Sequence, residues 1–553
     1  MKTVIFTILD EFGNITNDPQ KHTYQLNQET GGFNGIEKAV IDLKCKMLPD
    51  IQKQLLEEAQ EEFVQNKDAS FSCNGTTPVT IKTLNGSFTF KNQRFLDNDS
   101  DKTSQTYLGL TNQFEDGYTS DSLKEFSTYY ANRLSYEETE ELVKRTSGEK
   151  LLSDQSIHNI VVDKALEQSK QVEFEALSVL EDDTLKLPEI NQEVDIYDAE
   201  TKEVLILVDG IGVKKQSESR VSKKKAGMEA ESDTEKKTGS RVSNNIVLLE
   251  KEAGGFEYIT SAIDEDGEEL LPLSNIVKSK VIQEYGKDVE PVNMVSISDG
   301  AKDIRSLLKN IFGIVIVIIL DWYHLGKKVR EFMSMIARNK SEKIEHLEFL
   351  LHNLWHGQTD EVLNYLKTQV IARNEGKLQE LITYIEKHQE EIIDYDRRKE
   401  AGKEIGKEPD QEEGNEEEVV QHQQSSNIKT VDTDGVSIPC DSIKKRKHQK
   451  PLVADLNRRQ EDVKIKNKPS SNTKGNKKVV GSGRVEKACD STIGKRQKHK
   501  AMSWSKVGSR SLAILKVVEL NHKWSDIWFH PASNDLQRAA NDPCCTSELE
   551  LVA

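Results

Sequence analysis

The stretch from Val292 to Lys328, VNMVSISDGAKDIRSLLKNIFGIVIVIILDWYHLGKK, restricts the possible folds more than any other part of the chain. Two apolar runs, VNMVSIS and GIVIVIIL, stop abruptly at Asp299 and Asp321. Between them AKDIRSLLKNIF carries its apolar residues at helical spacing. Continuous apolar runs joined through a helix are the pattern of strands buried on both faces of a sheet. GIVIVIIL is too short to cross a bilayer, so it reads as a core strand. Upstream, EVLILVDG (203–210) repeats the theme with Asp209. Strands that each bring a carboxylate to the C-terminal edge of one sheet point to a metal-dependent site.

NNIVLLEK and FEYITSAID supply two further strands, and LSNIVKSKVIQEYG supplies a helix before VNMVSISD. Three strands in meander followed by alternating helix and strand give an α/β core in ribonuclease-H-like order rather than a doubly wound one. Ahead of it, GIEKAVIDLKCKMLPDIQKQLLEEAQEEFVQ reads as a helix broken near Pro49, and FSCNGTTPVTIKTLNGSFTFKNQRF as a hairpin turning at LNGS. Residues 1–106 are therefore a helical and short-strand region. Two helices around the turn SGEK, the second capped by Ser153, make 107–190 fit either a DNA-binding helix-turn-helix or a plain helical hairpin. The core occupies 191–324, an all-α insertion follows over 325–403, and 479–530 completes the core. The segment 404–478 is charged and poor in aromatic residues, which predicts disorder, and 531–553 is a loose tail.

The net charge of −18 over 553 residues argues mildly against a general nucleic-acid binder, but it hides opposite blocks. Between 441 and 500 there are 19 Lys and Arg against 6 Asp and Glu, shortly after the acidic run EPDQEEGNEEEVV. The six cysteines (Cys45, Cys73, Cys440, Cys489, Cys544, Cys545) contain no C-x-x-C, so neither a zinc ribbon nor a disulfide framework is expected. DNDSD (97–101) lacks the Gly and Glu that a calcium loop needs, and His352 and His356, one turn apart, have no third ligand nearby. No leader or membrane helix is read at the N-terminus, so the expected setting is soluble and intracellular.

Asp209, Asp299 and Asp321 are the first candidates for chemistry, with Glu486 added from GSGRVEKACD. Separated carboxylates suit a hard divalent cation, and two such ions can activate an attacking oxygen and stabilise a leaving one in phosphodiester displacement. An Asp at a strand end can equally begin a turn or cap the next helix. His324, three residues after Asp321, can orient a carboxylate or contact a phosphate. Lys214, Lys215, Lys223, Lys224 and Lys225, with Arg484, Lys495 and Arg496, are candidate phosphate contacts.

Taken in order, VLILVDGIGVKK, SISDGAKDIR, ILDWYHLGKK, LWHGQTDEVL, VVGSGRVEKAC and MSWSKVGSRSLAILKVVELNHKWSDIW resemble bacterial insertion-sequence DDE transposases of the Kra-type group, relatives of the Mutator-like enzymes. The resemblance covers roughly residues 30–530. It implies a ribonuclease-H-like core interrupted by a helical insertion, with Asp209, Asp299 and Glu486 as catalytic and metal-binding acids. Asp321 and His324 match an accessory [C/D]xxH motif. It further implies Mg2+ or Mn2+, cleavage at element ends with strand transfer into target DNA, double-stranded DNA as partner, and homo-oligomers on DNA in the bacterial cytoplasm at the nucleoid. A catalytically dead, transposase-derived DNA-binding protein and a nuclease of the same fold are the rival readings. Relatives often carry paired cysteines in the N-terminal strand region, where only Cys73 stands here. They also join the helix ending IIDYDRRKEAGK almost directly to GSG, where this chain interposes 404–478.

Overall fold

The computed structural model describes residues 2–9, 12–13, 15, 23–26, 32–97, 104–111, 114, 117–191, 193–216, 241–287, 291–313, 315–404, 478–499 and 502–529. The expected disordered segment, the tail and Lys223–Lys225 lie outside these residues, apart from the ends of the segment at Glu404 and Lys478.

A short antiparallel ribbon (β1, Lys2–Ile5; β2, Thr23–Leu26) precedes a 34-residue helix (α1, Phe33–Asn66). The helix runs through Pro49, where the sequence predicts a break. Proline removes one hydrogen bond from a helix interior, and here packing offsets the loss. Pro49 is buried, and its ring so crowds Gly86 that a Cβ there would lie 2.7 Å from Pro49 Cγ. Gly86 opens the second strand of the expected hairpin (β3, Phe71–Thr83; β4, Gly86–Asp97), to which β5 (Ser104–Thr106) adds an edge. Phe90 and Phe95, both fully buried, anchor its apolar face.

After one helical turn (α2, Tyr107–Leu110) come α3 (Asp121–Ala131), α4 (Tyr136–Ser147) and α5 (Asp154–Glu181). Ser153 caps α5 as the sequence indicates, accepting from Ser156 N–H at 3.1 Å. Ile157, Val161 and Ala165 of α5 join the same buried cluster as the inner faces of the main sheet. The helix pair is thus part of the layer that covers that sheet.

The main sheet has five strands: β6 (Glu203–Lys214), β7 (Arg241–Glu250), β8 (Phe256–Ile259), β9 (Asn293–Ser298) and β10 (Val317–Leu320). Its order is β10-β9-β6-β7-β8. β6, β7 and β8 pair antiparallel, whereas β9 runs parallel to β6 and β10 parallel to β9. The fold is therefore mixed α/β with a mixed sheet. Alternation sorts the strand residues between two faces. Val204, Ile206, Val208 and Met294 pack under α6 (Leu273–Tyr285) and α7 (Lys302–Phe312), while Leu205, Leu207, Val295, Ile297 and Ile319 face the other layer. Each fully buried aliphatic of this kind contributes about 1.5–3 kcal/mol.

Beyond β10 the insertion comprises α8 (Trp322–Ile336), α9 (Lys340–Trp355), α10 (Thr359–Thr368), α11 (Glu375–Lys387) and α12 (Tyr395–Glu404). The chain returns at Lys478 directly beside the end of α12: a Cβ at Gly402 would lie 2.9 Å from Lys478 N. It then forms α13 (Gly483–Cys489), which widens to π spacing over Asp490–Gly494 and continues through Lys495–Gln497, followed by α14 (Lys506–Leu520) and a last turn, α15 (Asp526–Phe529). Trp504 N–H donates to Lys214 O and Gln216 N–H to Trp504 O, so this late segment is bound to the end of β6. Among the described residues no helix is long and apolar enough to cross a membrane.

Candidate active site

Register places the acids. Leu207 stands opposite Ile297 and Ser298 opposite Leu320, so two further steps from the first pair and one from the second bring Asp209, Asp299 and Asp321 into a row across three neighbouring strands. Adjacent strands are about 4.8 Å apart. Asp321 N–H donates to Ser298 O at 2.8 Å, which fixes the row at its β10 end. Asp209 is not at a strand end, as the sequence reading had it. β6 continues to Lys214, and Asp209 pairs with Ile246 inside the ladder. It interrupts an apolar stripe, Leu205, Leu207, Ile211 and Val213, on the face that carries α13.

α13 closes over this row. Cys489 Sγ approaches the Asp209 carbonyl at 3.8 Å, and one turn earlier Glu486 Oε1 stands 3.6 Å from His324 Nδ1. Asp321 is 1 % exposed, and both its carboxylate oxygens are engaged. Oδ1 accepts from His324 N–H at 2.8 Å and lies 3.2 Å from His324 Nδ1, while Oδ2 accepts from Ser482 N–H. The same side chain therefore caps α8 and pins the GSG turn that launches α13. Burial would push its carboxyl up, but the hydrogen bonds from His324 and Ser482 outweigh burial and hold it at about 2. His324 is raised by its hydrogen bond to Asp321 against some burial, and the charges of Asp321, Glu486 and Asp299 favour its protonated form.

The Asp209 carboxyl is also raised, chiefly by burial, with repulsion from Asp299 adding and the Gly210 N–H bond at 2.7 Å opposing. Asp299 bends back to accept from Ala301 N–H at 2.8 Å. The turn at Gly300 needs glycine: its φ is +80°, and a Cβ would lie 2.7 Å from the His388 ring. His388 Nδ1 in turn stands 2.8 Å from Arg305 Nη2 and 2.7 Å from Glu391 Oε2. The insertion thus buttresses the loop that presents Asp299. No sequence signal flagged this contact, because Gly300 and His388 are 88 positions apart.

Asp209, Asp299, Asp321, His324 and Glu486 are thus gathered at one edge of the sheet. Among the described residues no three His, Cys, Asp or Glu side chains stand close enough together to hold a metal ion, and Glu486 is turned toward His324. The donor chemistry nonetheless suits a hard divalent cation: Asp209 and Asp299 repel each other in a half-buried site, and a cation would relieve that repulsion.

The candidate phosphate contacts divide. Lys214 and Lys215 are exposed at the end of β6, Lys495 is exposed, and Arg484 is exposed with its guanidinium 5.2 Å from the Phe256 ring. Arg496 is a correction. It is 5 % exposed, donates from Nε to Ala131 O at 2.7 Å and packs 4.9 Å from the Trp504 ring, so it ties α13 to α3 and is closed to DNA. His352 and His356 pack ring against ring at 4.9 Å, and Trp504 and Trp528 are buried, as expected of packing residues. No family model and no curated protein matches the chain.

Proposed function

We propose that the chain is a DDE transposase with a ribonuclease-H-like core, and that Asp209, Asp299 and Glu486 are its catalytic acids. The observation that carries the reading is the division of labour among four carboxylates. Asp321 is spent on hydrogen bonds to α8 and the GSG turn, which leaves Asp209, Asp299 and the more exposed Glu486 free to bind. A strand order of three antiparallel members followed by two parallel ones, with helices on both faces and the last acid on a late helix, supports the fold assignment.

Mg2+ or Mn2+ held by these three acids would supply Lewis-acid activation of an attacking oxygen and charge neutralisation at the leaving one. The chain's own residues do the rest. Strands β6 and β9 hold Asp209 and Asp299 in fixed register, and Asp321 orients both His324 and the helix that bears Glu486. His324, whose protonated form the neighbouring carboxylates favour, faces Glu486 and would offer positive charge where phosphate arrives. Exposed Lys214, Lys215, Arg484 and Lys495 lie on elements that flank the row and would neutralise duplex phosphates. DNA of the element ends and target is the proposed partner, bound by a homo-oligomer.

The test is incubation of the purified full-length protein with DNA from either side of its coding region, a supercoiled plasmid and Mg2+ or Mn2+. Breaks at defined ends and covalent joining to the plasmid are expected. Cleavage without joining would make the protein a nuclease, and binding without cleavage would make it an inactive DNA-binding relative. Either result overturns the proposal.

A further inference from the structure

Immediately after Asp321, α8 carries Tyr323, Lys327, Lys328 and Arg330, all exposed, and the acidic Glu331. Tyr323 is 64 % exposed, and its ring meets that of His324 edge-on at 5.8 Å, so an open aromatic surface borders the carboxylates. Gly326 gives Arg330 room to fold back along the helix: a Cβ at 326 would lie 2.8 Å from Arg330 Nη1. Lys328 leans the other way, its Nζ 5.9 Å from the ring of Tyr384 on α11.

A charged helix face is ordinarily solvated, and the rest of the insertion mixes self-paired cations with others, such as Lys340, Lys343, Arg373 and Lys387, that pair with no carboxylate among the described residues. Arg338 pairs with Glu342, Lys367 with Glu386 and Lys377 with Glu380, at 2.8, 2.7 and 2.7 Å. Among the described residues Lys327, Lys328 and Arg330 pair with no carboxylate, although Glu331 is their neighbour. Lys327 and Arg330 share one helix face with the exposed Tyr323 ring over about 10 Å of its length, while Lys328 lies on another side of the helix toward Phe332 and Tyr384. Backbone phosphates match the cations, and the ring matches an unpaired base, whose face is open only outside a duplex.

We propose that this face of α8 seats a single-stranded DNA segment next to the phosphate to be cut, with Tyr323 stacking on a base and Lys327 and Arg330 meeting phosphates. The inference rests on the transposase reading and adds to it a surface for unpaired DNA.

The test uses full-length protein in EDTA, where no cleavage occurs. Fluorescence anisotropy compares a blunt duplex with the same duplex bearing a single-stranded extension. Wild type binds the extended DNA more tightly. Tyr323→Ala weakens that binding about tenfold and leaves the blunt duplex unchanged, while Tyr323→Phe retains it. Lys327→Gln combined with Arg330→Gln lowers the slope of log affinity against log salt for the extension by about 1.4. Unchanged melting temperatures show that the variants are folded. Equal wild-type affinity for both DNAs, or variants that bind as wild type does, overturns the role of α8. If wild type also cuts and joins DNA, the catalytic reading survives that failure. A wild type that binds neither DNA overturns both.

Discussion

Both carboxylate oxygens of Asp321 are taken, one by His324 and one by the Ser482 amide, and the side chain is buried. A carboxylate held in this way contributes to stability through its lowered pKa. Its native value of about 2 lies below the roughly 3.9 of an unfolded Asp, so the contribution is fully present above about pH 4 and is lost as pH falls through 2. It is worth roughly 2–3 kcal/mol. Urea unfolding of wild type and Asp321→Asn should therefore differ most near pH 5–6, with the gap closing between pH 4 and 2. A gap that does not change over that range would show that the pair does not act through the ionised carboxylate. The sequence showed that Asp321 ends a strand and that His324 follows three residues later. It could not show that Oδ2 reaches a backbone amide 161 positions away. Arg496 carries the same lesson: its place in GKRQKHK reads as part of a basic run, while its burial depends on Ala131 and Trp504.

At the scale of elements, all five strands of the main sheet, the helices α6 and α7 on either side of β9 and the hairpin at LNGS were legible because periodicity and turn chemistry are local. The run of α1 through Pro49 was not, since the packing that offsets the lost hydrogen bond comes from Gly86. Nor could the neighbours of α5 be read, because any long amphipathic helix has a face to bury. The joint between α12, β6 and the returning chain also escaped notice. Arg398, wholly buried, forks onto Glu203 at 2.8 and 3.0 Å and donates to Val479 O and Ile196 O, while Lys478 reaches Glu203 at 2.7 Å. Breaking a buried pair from one side leaves charge uncompensated, at a cost of about 3–5 kcal/mol. Glu203→Gln, which strands two cations, should lower stability to chemical denaturation by that order. A loss below about 1 kcal/mol would mean that water reaches the cluster.

Considered whole, the molecule takes its last acid from a part of the chain that leaves the core after α12 and returns beside it. Because Gly402 and Lys478 are neighbours, the segment 405–477 can be exchanged for a short Gly-Ser linker without moving either end. Loop closure favours the shorter connection only slightly, by about 0.6 kcal/mol for each halving of length. The shortened protein should fold with a melting temperature close to that of the full chain and retain the proposed metal-dependent DNA cleavage. Failure to fold would show that the segment is part of the core.

The central claim is that Glu486, not Asp321, completes the acidic set with Asp209 and Asp299. DNA cleavage by Glu486→Gln and Asp321→Asn, each with its DNA affinity and melting temperature measured alongside, tests it most directly. Glu486→Gln should abolish cleavage with folding and DNA binding nearly intact, whereas Asp321→Asn should retain cleavage reduced about 10–100-fold, the usual cost of losing a positioning group behind a metal ligand. Cleavage that survives Glu486→Gln and vanishes in a folded Asp321→Asn would contradict the assignment.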